Sequence, residues 1–211
     1  MRSQVLYSAL FAAFAFSLPI AVGIGQPDRA LAQAPSQPAF NIAPVVEKKV
    51  SQIPDGALYW QVETFPTLAQ AQAQAAAGPT GLAASVEGKF WLFTLGTKGA
   101  AGHGGSMVAE VGPVTRITAA EYLLRVNNAV AQPGTKTAVH SHPGTEAFYI
   151  LAGALSQKTP QGVITLEAGQ STPGRGPDTA MEVTSSGTTE LHALVMFVVD
   201  AAKPFSTPAQ F

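Results

Sequence analysis

Hydrophobic and polar positions alternate over short stretches from residue 57 onward, a pattern typical of strands whose two faces differ in burial. Clusters of Gly, Pro, Ser and Asn separate these stretches at the spacing of a β-sandwich or closed barrel. The predicted strands cover residues 57–62, 82–86, 90–95, 107–111, 122–130, 137–142, 147–151, 163–167, 181–184 and 191–199. The turn at Glu87 and Gly88 joins the second and third strands as a hairpin. The pattern therefore predicts an all-β fold.

One segment departs from the strand pattern and predicts a helix. Residues 67–78 are good helix formers, mainly Ala and Gln, with Thr67 as the N-cap and Gly78 as the terminating residue. Alanine offers little surface for packing, so we expect this helix on the outside of the sheets. The fold class is all-β with one short peripheral helix.

The first 32 residues have the features of a secretory signal peptide. Arg2 precedes an apolar run over residues 5–24, and Ala30, Leu31 and Ala32 form the small-x-small pattern of a signal-peptidase site. We predict cleavage after Ala32, export to the periplasm or the extracellular space, and no stable membrane insertion afterwards. An uncleaved anchor is the alternative, because the apolar run approaches the length of a bilayer span.

Residues 33–56 contain four prolines and show no sustained periodicity. This composition predicts a Pro-rich linker that is extended rather than packed. The predicted organisation is thus a signal peptide over 1–32, a linker over 33–56, a β-barrel domain over 57–203 and a C-terminal tail over 204–211.

Composition narrows the classes of function. The chain has 211 residues, 46% of them hydrophobic, and a formal net charge of -1. The near-neutral charge excludes the strongly basic surface of a nucleic-acid-binding protein, so we expect no nucleic-acid partner. The sequence has no cysteine, which excludes disulfides, thiolate metal sites and iron–sulfur clusters. Any metal must therefore be bound by nitrogen and oxygen.

The candidate chemistry is concentrated in residues 134–153. Side chains alternate along a strand, so His140 and His142 project to the same side and can chelate one ion. Pro143 and Gly144 then turn the chain, and Glu146 enters the next strand, from which its carboxylate can reach the two rings. Nitrogen and oxygen donors with open positions suit one divalent first-row metal, Fe, Mn, Zn, Ni or Cu, rather than calcium. The alternative is a pair of polar histidines on an exposed hairpin.

This window resembles the first motif of the cupin superfamily, a glycine, a His-x-His pair, a glutamate and a second glycine at fixed spacing. Gly134, His140, His142, Glu146 and Gly153 fill every fixed position. The resemblance implies a small jelly-roll barrel, or double-stranded β-helix, with His140, His142 and Glu146 as metal ligands facing the lumen. The two glycines would occupy turns. It also implies a small-molecule ligand in the barrel and a homodimer. The sequence argument for the homodimer is an uncovered edge left by the aromatic hairpin and the final apolar strand. A monomer in which residues 33–56 shield that edge is the alternative.

The fourth metal ligand is open at the sequence level. The second cupin motif ends in a histidine, but here its Pro-rich turn places Asp178 nearest to that position. Asp178 is the tentative fourth ligand, and a turn residue bonded to its own backbone is the alternative. His192, at the start of the last strand, is the competing ligand if its face lines the lumen, and a hydrogen-bonded histidine at a strand end is the alternative. His103 lies in a glycine-rich loop, where we expect it to be mobile and solvated.

The resemblance settles the scaffold and leaves the reaction open. The leading hypothesis is an exported cupin that binds one divalent transition metal and acts as a dioxygenase-like oxidoreductase, or an isomerase, on a small organic substrate. A non-catalytic module that binds a metal or small molecule is the second hypothesis. A metal-free structural barrel is the third.

Overall fold

The computed structural model describes residues 40–100 and 102–211. The predicted signal peptide, its cleavage site and residues 33–39 of the predicted linker lie outside these residues. Within the described ranges, no helix is long and apolar enough to cross a bilayer.

The described chain is built almost entirely from strands, in agreement with the predicted all-β class. Its elements are β1 (Phe40–Val50), β2 (Leu58–Phe65), α1 (Leu68–Ala77), β3 (Gly81–Val86), β4 (Lys89–Thr97), β5 (Ser106–Val114), β6 (Tyr122–Ala131), β7 (His140–Ser141), β8 (Gly144–Ala152), β9 (Ala154–Thr159), β10 (Gly162–Glu167), β11 (Ser171–Thr172), β12 (Glu182–Ser185), β13 (Leu191–Asp200) and β14 (Thr207–Pro208). The predicted helix is confirmed, and the Thr67 hydroxyl caps it by accepting from the backbone N–H of Gln70. The predicted hairpin is β3 and β4.

Three antiparallel sheets lie in layers. The central sheet has the strand order β1-β6-β13-β8-β11, the lumen sheet has the order β10-β9-β12, and the outer sheet has the order β3-β4-β2-β5. A two-stranded pair, β7 with β14, completes the fold. The space between the central and lumen sheets is the lumen.

Strand β13 is buried on both faces and separates two hydrophobic cores. On one face Leu194 and Met196 join a core that includes Trp60 and Phe93 of the outer sheet. On the other face Val195 and Phe197 join a second core around the lumen. A strand that is apolar on both faces is typical of the middle layer of a stack.

The predicted linker is wrong from residue 40 onward. Residues Phe40–Val50 form β1, which pairs antiparallel with β6, and Val50 and Ile53 are buried in the core. A bulge between Pro44 and Val46 shifts the register, so the alternation of apolar positions breaks in the middle of the strand. Proline is tolerated because β1 is the edge strand of the central sheet.

The predicted barrel boundaries also change at both ends. Strands β2 to β5, over residues 58–114, form the outer sheet rather than the barrel wall. The predicted tail contains β14, which pairs with β7. Strand β13 lies between β6 and β8, so the uncovered edge that favoured a homodimer is paired within the chain.

Two turns depend on glycine. Gly153 has φ 72° and joins β8 to β9, as the motif implied. Gly174, at φ 73°, approaches the backbone of Glu146 so closely that a Cβ atom would lie 1.8 Å from the Glu146 carbonyl oxygen. The turn of the second motif therefore packs directly on the strand that carries Glu146.

Candidate metal centre

His140 lies on the short strand β7, which is held from both sides, and His142 follows directly after it. The backbone N–H of His140 donates to the Met181 carbonyl at 2.9 Å, and the Met181 N–H donates back at 2.8 Å. On the other side, Ser141 and His140 pair with Thr207 and Pro208 of β14. The backbone is therefore fixed on both sides. Because alternate residues of extended backbone point to one face, the side chains of His140 and His142 share one direction, as predicted.

Glu146 lies on β8, opposite Phe197 of β13, and completes the group. One ligand atom from each of His140, His142 and Glu146 lies within 4.8 Å of the other two. Nε2 of His142 is 3.8 Å from Oε1 of Glu146, and the two imidazole rings meet edge to face with centroids 5.0 Å apart. His142 and Glu146 are each 4% exposed, whereas His140 is half-buried at the mouth of the lumen.

Backbone carbonyls orient both imidazoles. Nδ1 of His140 bonds the Ala138 carbonyl at 2.9 Å, and Nδ1 of His142 bonds the Phe205 carbonyl at 2.6 Å. A carbonyl only accepts, so in each neutral ring Nδ1 carries the proton and Nε2 keeps its lone pair. Carbonyl partners of this kind are the outer-shell groups that hold metal-ligating histidines in place.

Burial sets the charge of the group. Burial raises the pKa of Glu146 from its ordinary 4.5 to about 8. Burial is also the main cause that lowers the pKa of His142 from 6.5 to about 4. Oε2 of Glu146 has no hydrogen-bond partner among the described residues. The pocket therefore presents two imidazole lone pairs and a buried carboxyl oxygen without a partner, a donor set that fits one divalent cation.

A cavity of about 310 Å³ opens beside these three residues. Its wall is mostly apolar, and polar atoms come from a few side chains; it is lined by Ile42, Asn127, Thr137, Ala138, His140, His142, Glu146, Phe197, Phe205 and Ser206. Deeper in the lumen, a second pocket beside Glu146 and Phe148 has only about 10 Å³, the space of about one water molecule. A ligand therefore has room at the mouth of the barrel, next to His140, and not at its base.

The structure does not bring either candidate fourth ligand into the group. Asp178 is exposed, lies outside the cluster of ligand atoms, and has a positive φ of 58°. Its backbone N–H donates to the His142 carbonyl at 2.8 Å, so it acts there through its backbone as a turn residue. His192 faces the outer sheet, where its ring bonds Glu87 and Glu190. The lumen-facing alternative for His192 is therefore wrong.

His103 is partly buried and held by hydrogen bonds, whereas the prediction was a mobile and solvated residue. Its Nδ1 bonds Oε2 of Glu63 at 2.7 Å, and its backbone N–H donates to Oε1 at 2.9 Å. Glu63 is fully buried on β2. The histidine thus pairs with a buried carboxyl group and ties the glycine-rich loop to the outer sheet.

Sequence reasoning missed the residues that close the cavity from remote parts of the chain. Ile42 reaches it from β1, and Phe205 reaches it from the predicted tail. The Phe205 ring lies 4.9 Å from the His142 ring, and the Arg125 guanidinium lies over it at 4.2 Å. The predicted tail contains two phenylalanines, Phe205 and Phe211, and the sequence offered no signal that Phe205 is the one that reaches the site.

Comparisons with known proteins found similar solved structures only. No family model matches the chain, and no curated protein matches it. Solved structures do. An uncharacterised conserved protein with a double-stranded β-helix domain from Klebsiella pneumoniae is 22% identical, with a TM-score of 0.36, over 42% of this chain and 76% of that one. A Cupin 2 conserved barrel domain protein from Salinispora arenicola is 18% identical, with a TM-score of 0.33, over 37% of this chain and 65% of that one.

The DMSP lyase DddQ from Ruegeria pomeroyi is 21% identical, with a TM-score of 0.35, over 41% of this chain and 43% of that one. The match thus spans less than half the length of the lyase. Within this chain, the central and lumen sheets enclose a lumen with the His-x-His pair and the glutamate at its mouth. The predicted fold class, an all-β barrel with one short peripheral helix, is confirmed by the described residues.

Proposed function

We propose that the chain is a metal-binding cupin that holds one divalent transition metal through Nε2 of His140, Nε2 of His142 and the carboxylate of Glu146. The observation that supports this most directly is that Nδ1 of each histidine is hydrogen-bonded to a backbone carbonyl. Both Nε2 atoms are left as acceptors next to a buried carboxyl oxygen that has no partner among the described residues. Acceptors without partners are costly to bury, and one bound cation would satisfy all three of them.

The second part of the proposal is a small organic ligand in the cavity of about 310 Å³. A bound iron, manganese, nickel or copper ion supplies redox chemistry with dioxygen, and zinc supplies a Lewis acid. The chain itself contributes the shape of the site. Phe197, Phe205 and Ile42 exclude water from an apolar ligand, and Asn127 and Ser206 offer polar contacts that orient it.

A dioxygenase-like reaction and non-catalytic binding are both consistent with this pocket. One observation favours the binding module: apart from the three ligands, the described residues place no titratable side chain in the cavity wall. A reaction there would depend on the metal ligands or the substrate for proton transfer. Dioxygen uptake by the metal-loaded protein with catechol, enol and flavonoid substrates separates the two functions, because binding alone consumes no oxygen.

We also propose that the protein acts after export, with its N-terminal 32 residues removed. The support is the sequence pattern around Arg2 and Ala32. Intact-mass measurement of the protein recovered from a secreting host tests this. A mature chain that begins at Gln33 is the expected result, and retention of Met1 in the membrane fraction would contradict it.

Elemental analysis tests the metal centre. Protein purified without a metal-chelating tag should carry close to one transition metal per chain, and His140→Ala combined with His142→Ala should abolish it. Asp178→Ala and His192→Ala are matched controls of the same chemistry outside the cluster, and both should retain the metal. Full retention in the double variant would place the metal elsewhere. A metal-free wild type after growth with these metals would favour the structural barrel.

A further inference from the structure

The C-terminal residues 205–209, named here the C-terminal strap, run beside the segment that carries the histidines. Thr207 and Pro208 pair with Ser141 and His140, and the Ala209 N–H donates to the Val139 carbonyl at 3.1 Å. The hydroxyl groups of Ser141 and Thr207 lie 3.1 Å apart. The strap is thus an extra strand along the metal-binding segment.

The two histidines differ in how their rings are held. The partner of His140 is Ala138, two residues away on the same segment. The partner of His142 is Phe205, which is 63 residues further along the chain. The orientation of His140 is therefore local, whereas the orientation of His142 requires the strap to be in place.

The Phe205 side chain fixes the position of its own carbonyl. Its ring contacts the rings of His142 and Phe197, each with centroids 4.9 Å apart, and Arg125 covers it at 4.2 Å. The neighbouring residues Ser206, Thr207 and Pro208 are exposed. One aromatic anchor and a few backbone bonds thus hold the strap, and such lightly buried segments open more readily than the core.

We propose that the C-terminal strap is a positioning element of the metal centre, in which the Phe205 carbonyl keeps His142 in its Nδ1–H tautomer with Nε2 towards the metal. This inference rests on the proposed metal site. It implies a coupling that must act in both directions: a closed strap strengthens metal binding, and bound metal keeps the strap closed. Loss of an outer-shell partner typically weakens metal binding by about 10- to 100-fold, and we expect this range here.

Two truncations of the full chain test the coupling, with Co²⁺ as the probe. A chain that ends at Pro204 lacks the strap, and a chain that ends at Ala209 keeps it and serves as the matched control. Titration followed by Co²⁺ absorption should give a Kd about 10- to 100-fold higher for the first chain. The control should match the full chain within about twofold, since it keeps the Phe205 carbonyl, the pairing of β14 with β7 and the Ala209 N–H bond.

A spectroscopic readout distinguishes positioning from general support of the fold. The ¹⁵N shifts of the His142 ring in the metal-free full chain should show the Nδ1–H tautomer, and the chain that ends at Pro204 should lose that preference. An unchanged tautomer in the truncated chain would overturn the proposal. Equal Co²⁺ affinity of the two truncations would also overturn it.

A measurement on the intact chain covers the case in which the shorter truncation fails to fold. Saturating Co²⁺ should slow hydrogen exchange of the Ala209 amide by about the same 10- to 100-fold factor, because that amide is released when the strap opens. An unchanged exchange rate in a chain that binds Co²⁺ would refute the coupling between the strap and the metal and would leave the metal site standing. A full chain that binds no Co²⁺ would refute the metal site itself.

Discussion

Replacement of Glu146 by glutamine should remove a pH-dependent cost of folding from the metal-free chain. Burial raises the pKa of Glu146 from 4.5 to about 8, so the folded chain retains a proton that the unfolded chain releases above pH 4.5. When a group binds its proton more tightly in the folded state, the free energy of unfolding of the protein falls as pH rises. The wild type should therefore become less stable between about pH 4.5 and pH 8, and Glu146→Gln should not share this loss.

The magnitude follows from the two pKa values. At about 1.36 kcal/mol per pH unit, the whole effect is about 5 kcal/mol, and about 2 kcal/mol of it falls above pH 6.5. The lowered pKa of His142 acts in the opposite direction, because its stabilisation is lost as pH falls from 6.5 towards about 4. The two effects overlap below pH 6.5, so the clearest window lies above it.

Urea unfolding of the metal-stripped wild type and of Glu146→Gln, followed by circular dichroism, measures this difference. The free energy of unfolding of the wild type should fall by about 2 kcal/mol relative to the variant between pH 6.5 and pH 9. Saturation of the wild type with Zn²⁺ is the control, because a bound cation stabilises the carboxylate and should abolish the fall. Parallel pH profiles for the two metal-free proteins would refute the reasoning.

Two further predictions concern residues outside the metal centre. Gly174→Ala should lower the free energy of unfolding by about 3 kcal/mol, because its Cβ would lie 1.8 Å from the Glu146 carbonyl oxygen. Gly176→Ala, whose Cβ would lie 3.4 Å from a Thr115 methyl group, is the control, and equal losses in urea unfolding would contradict the packing argument. The hydrogen bond to Glu87 is the main cause that raises the pKa of His192, so its stabilisation is present below pH 6.5 and is lost as pH rises through the folded value. Because the ring is partly exposed, His192→Gln should cost less than about 1 kcal/mol at pH 5.5 and nothing at pH 9, and a pH-independent cost would be inconsistent with the ion pair.

The sequence predicted features that depend on local geometry. The hairpin followed from the turn at Glu87 and Gly88, which have φ values of 52° and 71°. The helix followed from Thr67 and its alanine-rich run. The clustering of His140, His142 and Glu146 followed from strand alternation plus one turn, because all three lie within seven residues.

Features set by distant pairing could not be predicted in the same way. Strand β1 was missed because the bulge after Pro44 interrupts its alternation. Phe205 joins the site only because β14 pairs with β7, and two residues carry no periodic signal. For His192, alternation correctly placed it with Leu194 and Met196, but both faces of β13 are apolar, so the pattern did not distinguish the lumen from the outer sheet.

The position of β13 makes the barrel depend on the outer sheet. Met196 and Val198 turn away from the lumen and are covered by residues of the outer sheet, including Trp91 and Leu95. A protein cut between β5 and β6 would expose this apolar face of β13 to water. It would also lose β1, the edge strand of the central sheet. In this chain the segment 58–114 covers that face of β13, so the barrel depends on the outer sheet to bury it.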